Sequence, residues 1–164
     1  MLALGAPVDY IDVTRASYAA LGFSAYRWVT STEPAPFASP RKPLDQSRIA
    51  LIASGGIYVA GQIAFHFKDD TSFRLVPTDV ETSDLRATHF AYDLTDARRD
   101  PNVVFPIDTL RRLVAQRRIG SLTRHAFTFM GGIYSSRRVR DELAPAIASA
   151  VAAEGADAAL LVPV

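Results

Sequence analysis

Short apolar runs that alternate with helical patterns constrain the fold of this chain more than any other feature of its sequence. Four runs have the length and composition of β-strands, and they occupy residues 48–53, 72–77, 126–130 and 157–164. Two helical patterns, over residues 106–118 and 136–154, separate the last three runs. The order strand–strand–helix–strand–helix–strand predicts an α/β domain with a mainly parallel sheet and flanking helices.

The individual patterns indicate where each element lies. The run over 48–53 is almost wholly apolar, which is typical of a central parallel strand. The run over 72–77 alternates polar and apolar residues before a proline, so we expect it nearer an edge. In the long helical pattern over 136–154, apolar residues recur every four positions as one buried stripe, which Pro145 is expected to kink. The last run, 157–164, predicts a buried strand.

The first 46 residues differ from the rest in composition. Residues 9–30 are rich in aromatic side chains and predict a helical arm, and four prolines between positions 34 and 43 indicate a semi-stiff connector. We therefore expect an N-terminal arm with its connector at 1–46 and an α/β domain at 47–164. The aromatic side chains of the arm either pack against that domain or form a subunit contact.

Composition and charge exclude several classes of protein. The 164 residues carry a net charge of +1 and no cysteine, which argues against a nucleic-acid binder and leaves no disulfide, zinc–thiolate cluster or thiol nucleophile among them. No apolar run reaches the roughly 18 residues of a membrane span, and the first residues do not resemble a signal peptide. No group of side chains has metal-ligand spacing. We expect a cytoplasmic protein without a metal, a nucleic-acid partner or a membrane.

The sequence contains two similar glycine-pair motifs, each directly after an apolar strand. The motifs are Ser54-Gly55-Gly56-Ile57-Tyr58 and Met130-Gly131-Gly132-Ile133-Tyr134. Paired glycines at this position either bind an anion or substrate through free N–H groups, or simply allow tight strand exits. Neither motif matches a phosphate-binding or dinucleotide fingerprint. We expect Ser54 and the four glycines to form the floor of a pocket, with Tyr58 and Tyr134 lining the cleft.

His89 and Asp93 are the candidates for proton transfer or substrate positioning. They lie four residues apart, so a helical segment would place them on one face, where a carboxylate can orient an imidazole. The alternative is a polar loop in which Asp93 and Asp100 cap helices or turns. His66 and His125 have no such neighbours and are interpreted as structural or surface residues.

Several stretches that occur in a fixed order are more specific than either motif. They are RIALIASGGIY at 48–58, SFRLVP at 72–77, THFAYD at 88–93, VFPIDTL at 104–110, Ile119-Gly120, FMGGIY at 129–134 and GADAALLVPV at 155–164. This set resembles the selenoprotein B family of glycine, sarcosine, betaine and D-proline reductases. In layout it is most similar to the short, D-proline-reductase-type subunit, and the resemblance covers roughly residues 48–164.

The resemblance implies a flavodoxin-like or related α/β fold and reductive cleavage of a C–N bond in a small amino-acid-like substrate. In the family, a selenocysteine or cysteine follows the strand that matches residues 158–164. A pyruvoyl group on a partner subunit activates the substrate, and a thioredoxin-like or other dithiol donor reduces the oxidised chalcogen. The resemblance therefore implies that the chain functions as part of an oligomer.

The sequence ends at Val164, where the resemblance places the chalcogen residue next. We therefore expect a fold that is incomplete at its C-terminus and inactive by itself, and an in-frame UGA read as a stop is the leading explanation. Leu160, Leu161 and Val162 are then expected to lack covering elements, and an exposed apolar edge favours self-association. The alternative function is a non-catalytic subunit that binds a small anion or another protein through the glycine loops.

Overall fold

A computed structural model describes residues 9–25, 29–36 and 38–164, which fall into two units, Met1–Pro36 and Phe37–Val164. In the first unit, helix α1 spans Tyr10–Ala20 and begins at Asp9, whose carboxylate accepts hydrogen bonds from two backbone N–H groups of the first turn. The observed helix α1 is therefore shorter than the helical arm predicted over residues 9–30. Tyr26 and Trp28 of that arm lie outside the described residues, and both interpretations of its aromatic side chains remain predictions.

The second unit is built on a five-stranded sheet around one central strand. Strand β1 (Arg48–Ala53) pairs in parallel with β7 (Ala158–Val162) along one edge. Along its other edge it pairs in parallel with β5 (Ser121–Leu122) near its start and with β6 (His125–Thr128) near its end. Strand β3 (Arg74–Pro77) is antiparallel to β6 and lies at the edge of the sheet. The predicted mainly parallel sheet, with a central first strand, is confirmed.

A second, two-stranded sheet was not predicted. Strand β2 (Ile57–Val59) pairs antiparallel with β4 (Leu85–Ala87), and together they form a short ribbon. Each strand has only three residues, which is too few for a period-two pattern to stand out from the sequence.

The helices of the second unit flank the sheet. They are α2 (Thr95–Arg99), α3 (Ile107–Ala115), α4 (Ser136–Arg138) and α5 (Ala144–Ala153), with single 3₁₀ turns at Leu44–Gln46, Thr82–Asp84 and Pro101–Val103. A π-helical turn, Val139–Leu143, connects α4 with α5, and Pro145 is the second residue of α5. The helical pattern over 136–154 is therefore interrupted directly before Pro145, because proline has no N–H for the helical ladder.

The two faces of β1 create two hydrophobic clusters. Ile49, Leu51 and Ala53 belong to the cluster that includes residues of α3, whereas Ala50 packs in the cluster of α5 with Phe127. The split follows from the strand itself, since successive side chains point to opposite faces. Burial of each large apolar side chain contributes about 1.5–3 kcal/mol. Helices therefore cover both faces of the sheet, as the pattern predicted.

Strand β7 is less covered than β1. Leu160 is 39% exposed and Leu161 is 67% exposed, while Val162 is partly buried against the first cluster. The reason is that β7 pairs only with β1 among the described strands. The prediction of a buried strand over 157–164 is therefore wrong for the two leucines, whereas their expected lack of cover is confirmed. The self-association that would follow from it remains a prediction. In the part of the chain that the structure describes, no helix is both long and apolar enough to cross a membrane.

An ion pair joins the start of β6 to the end of α5. The Nδ1 atom of His125 lies 2.6 Å from Oε1 of Glu154, and the His125 backbone N–H donates to Oε2 at 2.9 Å. Both side chains are mostly buried. Burial alone would raise the pKa of Glu154, but the hydrogen bonds and charge of His125 outweigh it and hold that pKa below its ordinary value. The expectation that His125 lacks a carboxylate neighbour is therefore wrong, and its interpretation as a structural or surface residue stays a prediction.

Replacement of Glu154 by Gln is expected to lower the free energy of unfolding at neutral pH by about 1–2 kcal/mol, because a charge-assisted hydrogen bond is lost. The pKa of Glu154 is depressed in the folded state, so its contribution is complete above the ordinary value of 4.5 and disappears as the pH falls through the lower folded pKa. Urea unfolding at several pH values should show the difference between wild type and variant shrinking below about pH 4.5. Glu81→Gln, an exposed control, should change little, and a difference that is constant with pH would contradict the assignment.

Candidate functional site

The carboxyl ends of β1 and β6 bring the two glycine motifs together. The N–H of Gly131 donates to the carbonyl oxygen of Ser54 at 2.8 Å, and Gly55 forms an isolated antiparallel bridge with Met130. Crevices at the carboxyl ends of parallel strands are the usual ligand sites of open α/β sheets. The predicted pairing of the two motifs in space is therefore present.

The end of β7 reaches the same place. The backbone N–H of Val164 donates to Oγ of Ser54 at 2.9 Å, and a Cβ added at Gly55 would lie 3.4 Å from a methyl carbon of Val164. Ser54 is mostly buried. The ends of β1, β6 and β7 thus meet at Ser54, through its hydroxyl for Val164 and its backbone oxygen for Gly131.

Glycine is required at position 56 by a close backbone approach. Gly56 has a φ of +69°, and a Cβ there would lie 2.0 Å from the carbonyl oxygen of Thr88. The N–H of Thr88 donates to the Gly56 oxygen at 3.0 Å, and the Gly56 N–H donates to the Phe129 oxygen at 2.9 Å. The N–H groups of Gly56 and Gly131 are therefore engaged within the protein. This geometry corresponds to tight strand exits, and substrate binding by these loops remains a prediction.

His89 is a buried, neutral imidazole with one unused donor. Its Nδ1 accepts a hydrogen bond from the Ala91 N–H at 3.0 Å, so the proton of the neutral ring is on Nε2. That Nε2 atom is buried and has no hydrogen-bond partner among the described residues. Burial lowers the pKa of His89, which favours the neutral form. A buried donor without a partner costs free energy of folding. A ligand group that accepts a hydrogen bond from this donor would therefore be stabilised.

Asp93 does not orient His89. The segment between β4 and α2 is not helical, and the Asp93 carboxylate accepts hydrogen bonds from the Thr95 N–H at 2.9 Å and the Thr95 hydroxyl at 2.7 Å. These two bonds lower the pKa of Asp93, which is exposed. The expected helical His–Asp pair is therefore wrong, because the chain turns after His89. Asp93 instead forms a side-chain turn with Thr95, the first residue of α2, and Asp100 makes the equivalent bond to the Asn102 N–H.

The two candidate tyrosines contact different elements. Tyr134 is 70% exposed, its ring centroid lies 6.2 Å from that of Phe90, and its N–H donates to Asp69 at 2.7 Å. Tyr58 lies on the β2–β4 ribbon, where its hydroxyl oxygen accepts a hydrogen bond from Thr88 at 3.2 Å. Tyr134 therefore belongs to the outer rim of the glycine loops, whereas Tyr58 belongs to the ribbon.

Sequence reasoning missed two aromatic residues that hold the site. The Tyr92 hydroxyl donates to the Gly55 oxygen at 2.8 Å, and the Tyr92 ring lies 4.7 Å from the His89 ring. Phe90 covers Gly132 so closely that a Cβ at Gly132 would lie 2.3 Å from a carbon of the Phe90 ring. The high proportion of aromatic residues in the stretch HFAY at 89–92 was the sequence feature that could have indicated this role. The segment from His89 to Tyr92 thus covers the glycine loops.

Within residues 9–25, 29–36 and 38–164, no cluster of three or more His, Cys, Asp or Glu side chains could hold a metal ion. The site therefore consists of a buried hydroxyl, a neutral imidazole, two aromatic rings and backbone glycines.

Comparison with known proteins identifies the class to which this site belongs. The model of the glycine/sarcosine/betaine reductase selenoprotein B family matches residues 22–164, and the chain belongs to that family. The resemblance seen in the sequence is confirmed.

Two curated relatives make the relationship more specific. The chain is 32% identical over 140 residues to the D-proline reductase subunit gamma of Acetoanaerobium sticklandii, over 85% of this chain and 58% of the relative. It is 31% identical over 125 residues to the glycine reductase complex component B subunit gamma of Carboxydothermus hydrogenoformans, over 73% of this chain and 28% of the relative. The aligned region thus spans little more than half of the first relative and less of the second. No solved structure matches, and the flavodoxin-like assignment remains a prediction.

The close approach at Gly56 gives a direct test of the site geometry. Gly56→Ala is expected to lower the free energy of unfolding by about 2–5 kcal/mol, because it adds left-handed strain to a clash with the Thr88 backbone. Gly61→Ala is the matched control, since Gly61 also has a positive φ (+94°) but a Cβ there would meet nothing within 4 Å. The control should lose only about 1–2 kcal/mol. Equal losses in urea unfolding would contradict the close approach.

Proposed function

We propose that this chain forms the substrate-facing part of a reductase subunit that cleaves a C–N bond in an amino acid or amino-acid derivative, as in glycine, betaine, sarcosine or D-proline reduction. The chain belongs to a family whose curated relatives are named as reductase subunits. One observation carries the proposal: the Val164 N–H is bonded to Ser54 Oγ, beside the glycine loops and at the end of β7. A residue that follows Val164 would begin at this site.

The proposed nucleophile is a selenocysteine or cysteine directly after Val164. Its anion would attack the substrate carbon, so that a carbon–chalcogen bond forms as the C–N bond breaks and the amine leaves. A dithiol reductant would then supply two electrons and two protons, so that the carbon–chalcogen bond breaks, the carbon fragment leaves with a new C–H bond, the chalcogen is restored and the dithiol becomes a disulfide. A pyruvoyl group on a partner subunit would activate the substrate. A selenolate is ionised near neutral pH and needs less activation than a thiolate. Dithiol chemistry fits a reducing compartment, for which we propose the cytoplasm.

The residues present suit an anionic chalcogen and a small substrate. His89 offers a neutral Nε2–H donor, and the Ser54 hydroxyl accepts from Val164 and retains its own proton for donation. Both lie on segments that the close approach at Gly56 holds together. We propose that the Nε2–H group of His89 donates a hydrogen bond to the substrate or to the leaving group. The aromatic rings of Phe90 and Tyr134, at the rim of the site, would limit access of water.

The coding sequence after the Val164 codon and the mass of the native protein test this proposal together. A selenocysteine or cysteine codon, with reductase activity in the extended protein plus its pyruvoyl-bearing partner and none in the 164-residue chain, is the expected result. A stop codon with no reading frame beyond it would leave no nucleophile and favour the non-catalytic binding subunit. Reductive cleavage by the 164-residue chain alone would also contradict the proposed nucleophile.

In the assembled enzyme, His89→Ala is expected to lower turnover by at least about tenfold, because it removes the Nε2–H donor from the site. His66→Ala, a change of an exposed histidine in another loop, is the control. Since His89 is buried, thermal unfolding of both variants should accompany the kinetics, measured well below their midpoints. Unchanged turnover in a folded His89→Ala enzyme would remove His89 from the site.

A further inference from the structure

The register of the β2–β4 ribbon sets an aromatic hydroxyl beside a guanidinium group. Tyr58 is directly opposite Arg86, while the residues on either side of Arg86, Leu85 and Ala87, are buried. Because side chains alternate along a strand, Tyr58 and Arg86 share the face of the ribbon that points away from the core. This placement depends on tertiary pairing between segments nearly thirty residues apart.

Two further polar residues converge on this face. Thr88 follows β4, and Arg98 lies in the last turn of α2, which packs on the ribbon through the buried Ala97. Together with Tyr58 and Arg86 they line a concavity of about 460 Å³. That volume is in the range of small-molecule sites.

The cations of this concavity are not neutralised by carboxylates in direct contact. Arg86 uses Nη1 for the carbonyl oxygens of Ser83 and Leu85, both at 2.8 Å, and its other guanidinium nitrogens have no partner among the described residues. The backbone N–H of Arg98 donates to the Leu94 oxygen, and its guanidinium group makes no hydrogen bond or ion pair with any residue that the structure describes. Its neighbour Arg99, in contrast, pairs with Asp96 at 3.6 Å. The Asp93 carboxylate accepts two hydrogen bonds from Thr95 on Oδ1 and lies near enough to Arg98 for that charge to help lower the pKa of Asp93, without a direct ion pair.

The Tyr58 hydroxyl is arranged to donate outward. The Thr88 hydroxyl donates to the Tyr58 oxygen at 3.2 Å, which leaves the Tyr58 proton available for a ligand acceptor. The concavity thus offers two guanidinium groups and one phenol O–H, a donor set that matches an anion with two oxygens in one plane.

We infer that the concavity formed by Tyr58, Arg86, Thr88 and Arg98 binds the carboxylate group of a small molecule. A singly charged carboxylate is favoured over a phosphate dianion because Arg98 lies at the C-terminal end of α2, where the helix dipole is negative. That the ligand is an amino acid rests on the proposed function, since Thr88 is adjacent in the chain to His89 and bonded to Gly56.

Titration of the 164-residue chain with acetate, glycine, glycinamide and inorganic phosphate, followed by amide chemical shifts in NMR, tests this inference. Acetate and glycine are expected to bind saturably, with shifts centred on Tyr58, Arg86 and Arg98. Glycinamide, which lacks the carboxylate, should bind at least about tenfold more weakly. No saturable binding, equal binding of glycinamide, or tighter binding of phosphate than of acetate would overturn the inference.

Matched variants locate the site. Arg98→Gln and Tyr58→Phe are each expected to weaken acetate binding by about tenfold or more, whereas Arg99→Gln should leave it unchanged. An equal loss in Arg99→Gln would indicate general surface charge and would overturn the site. Because acetate binding requires no chalcogen, absent binding with intact reductase activity refutes only this inference. Intact binding without reductase activity in the assembled, extended protein refutes only the proposed function.

Discussion

The hydrogen-bonded pairing of β1 along both of its edges is the constraint on which the rest of this structure depends. One edge holds β7 over five consecutive residue pairs, and the other holds β5 and β6. The alternation of side chains along the same strand divides the core into two clusters. Since Ser54 directly follows β1, this one strand also determines where the three strand ends meet.

The site is closed by a second constraint, the approach of two backbones at Gly56 and Thr88. The contact leaves no room for a Cβ at Gly56, and it brings the aromatic segment from His89 to Tyr92 over the glycine loops. That segment removes the His89 imidazole from water and leaves its Nε2 donor without a partner in the described protein. A buried donor of this kind costs stability in the free protein and is satisfied when a ligand supplies an acceptor.

The ribbon and the glycine loops have different chemical character although Thr88 and His89 connect them. At the glycine loops, the N–H groups of Gly56 and Gly131 are used within the protein. The outer face of the ribbon carries the guanidinium groups of Arg86 and Arg98. The proposed carboxylate site on the ribbon and the proposed reaction site at the glycine loops are therefore neighbours that offer different chemical groups.

The sequence by itself determined the elements whose signal is local. The apolar run of β1, the four-residue stripe of the long helix and the glycines after two strands were sufficient to predict a mainly parallel sheet with the glycine motifs together. The interruption near Pro145 followed from its missing N–H. The ordered set of short stretches likewise determined the family, because its specificity comes from many positions at once.

Only the tertiary structure decided the arrangements that depend on pairing between distant segments. The β2–β4 ribbon is too short to be read from a pattern, and the meeting of Tyr58 with Arg86 exists only in its register. The four-residue spacing of His89 and Asp93 predicted a pair, but the chain turns there because Asp93 bonds to Thr95 and the His89 ring packs on Tyr92. Sequence spacing fixes neighbours only inside a regular element, and in a loop the tertiary contacts decide which side chains meet.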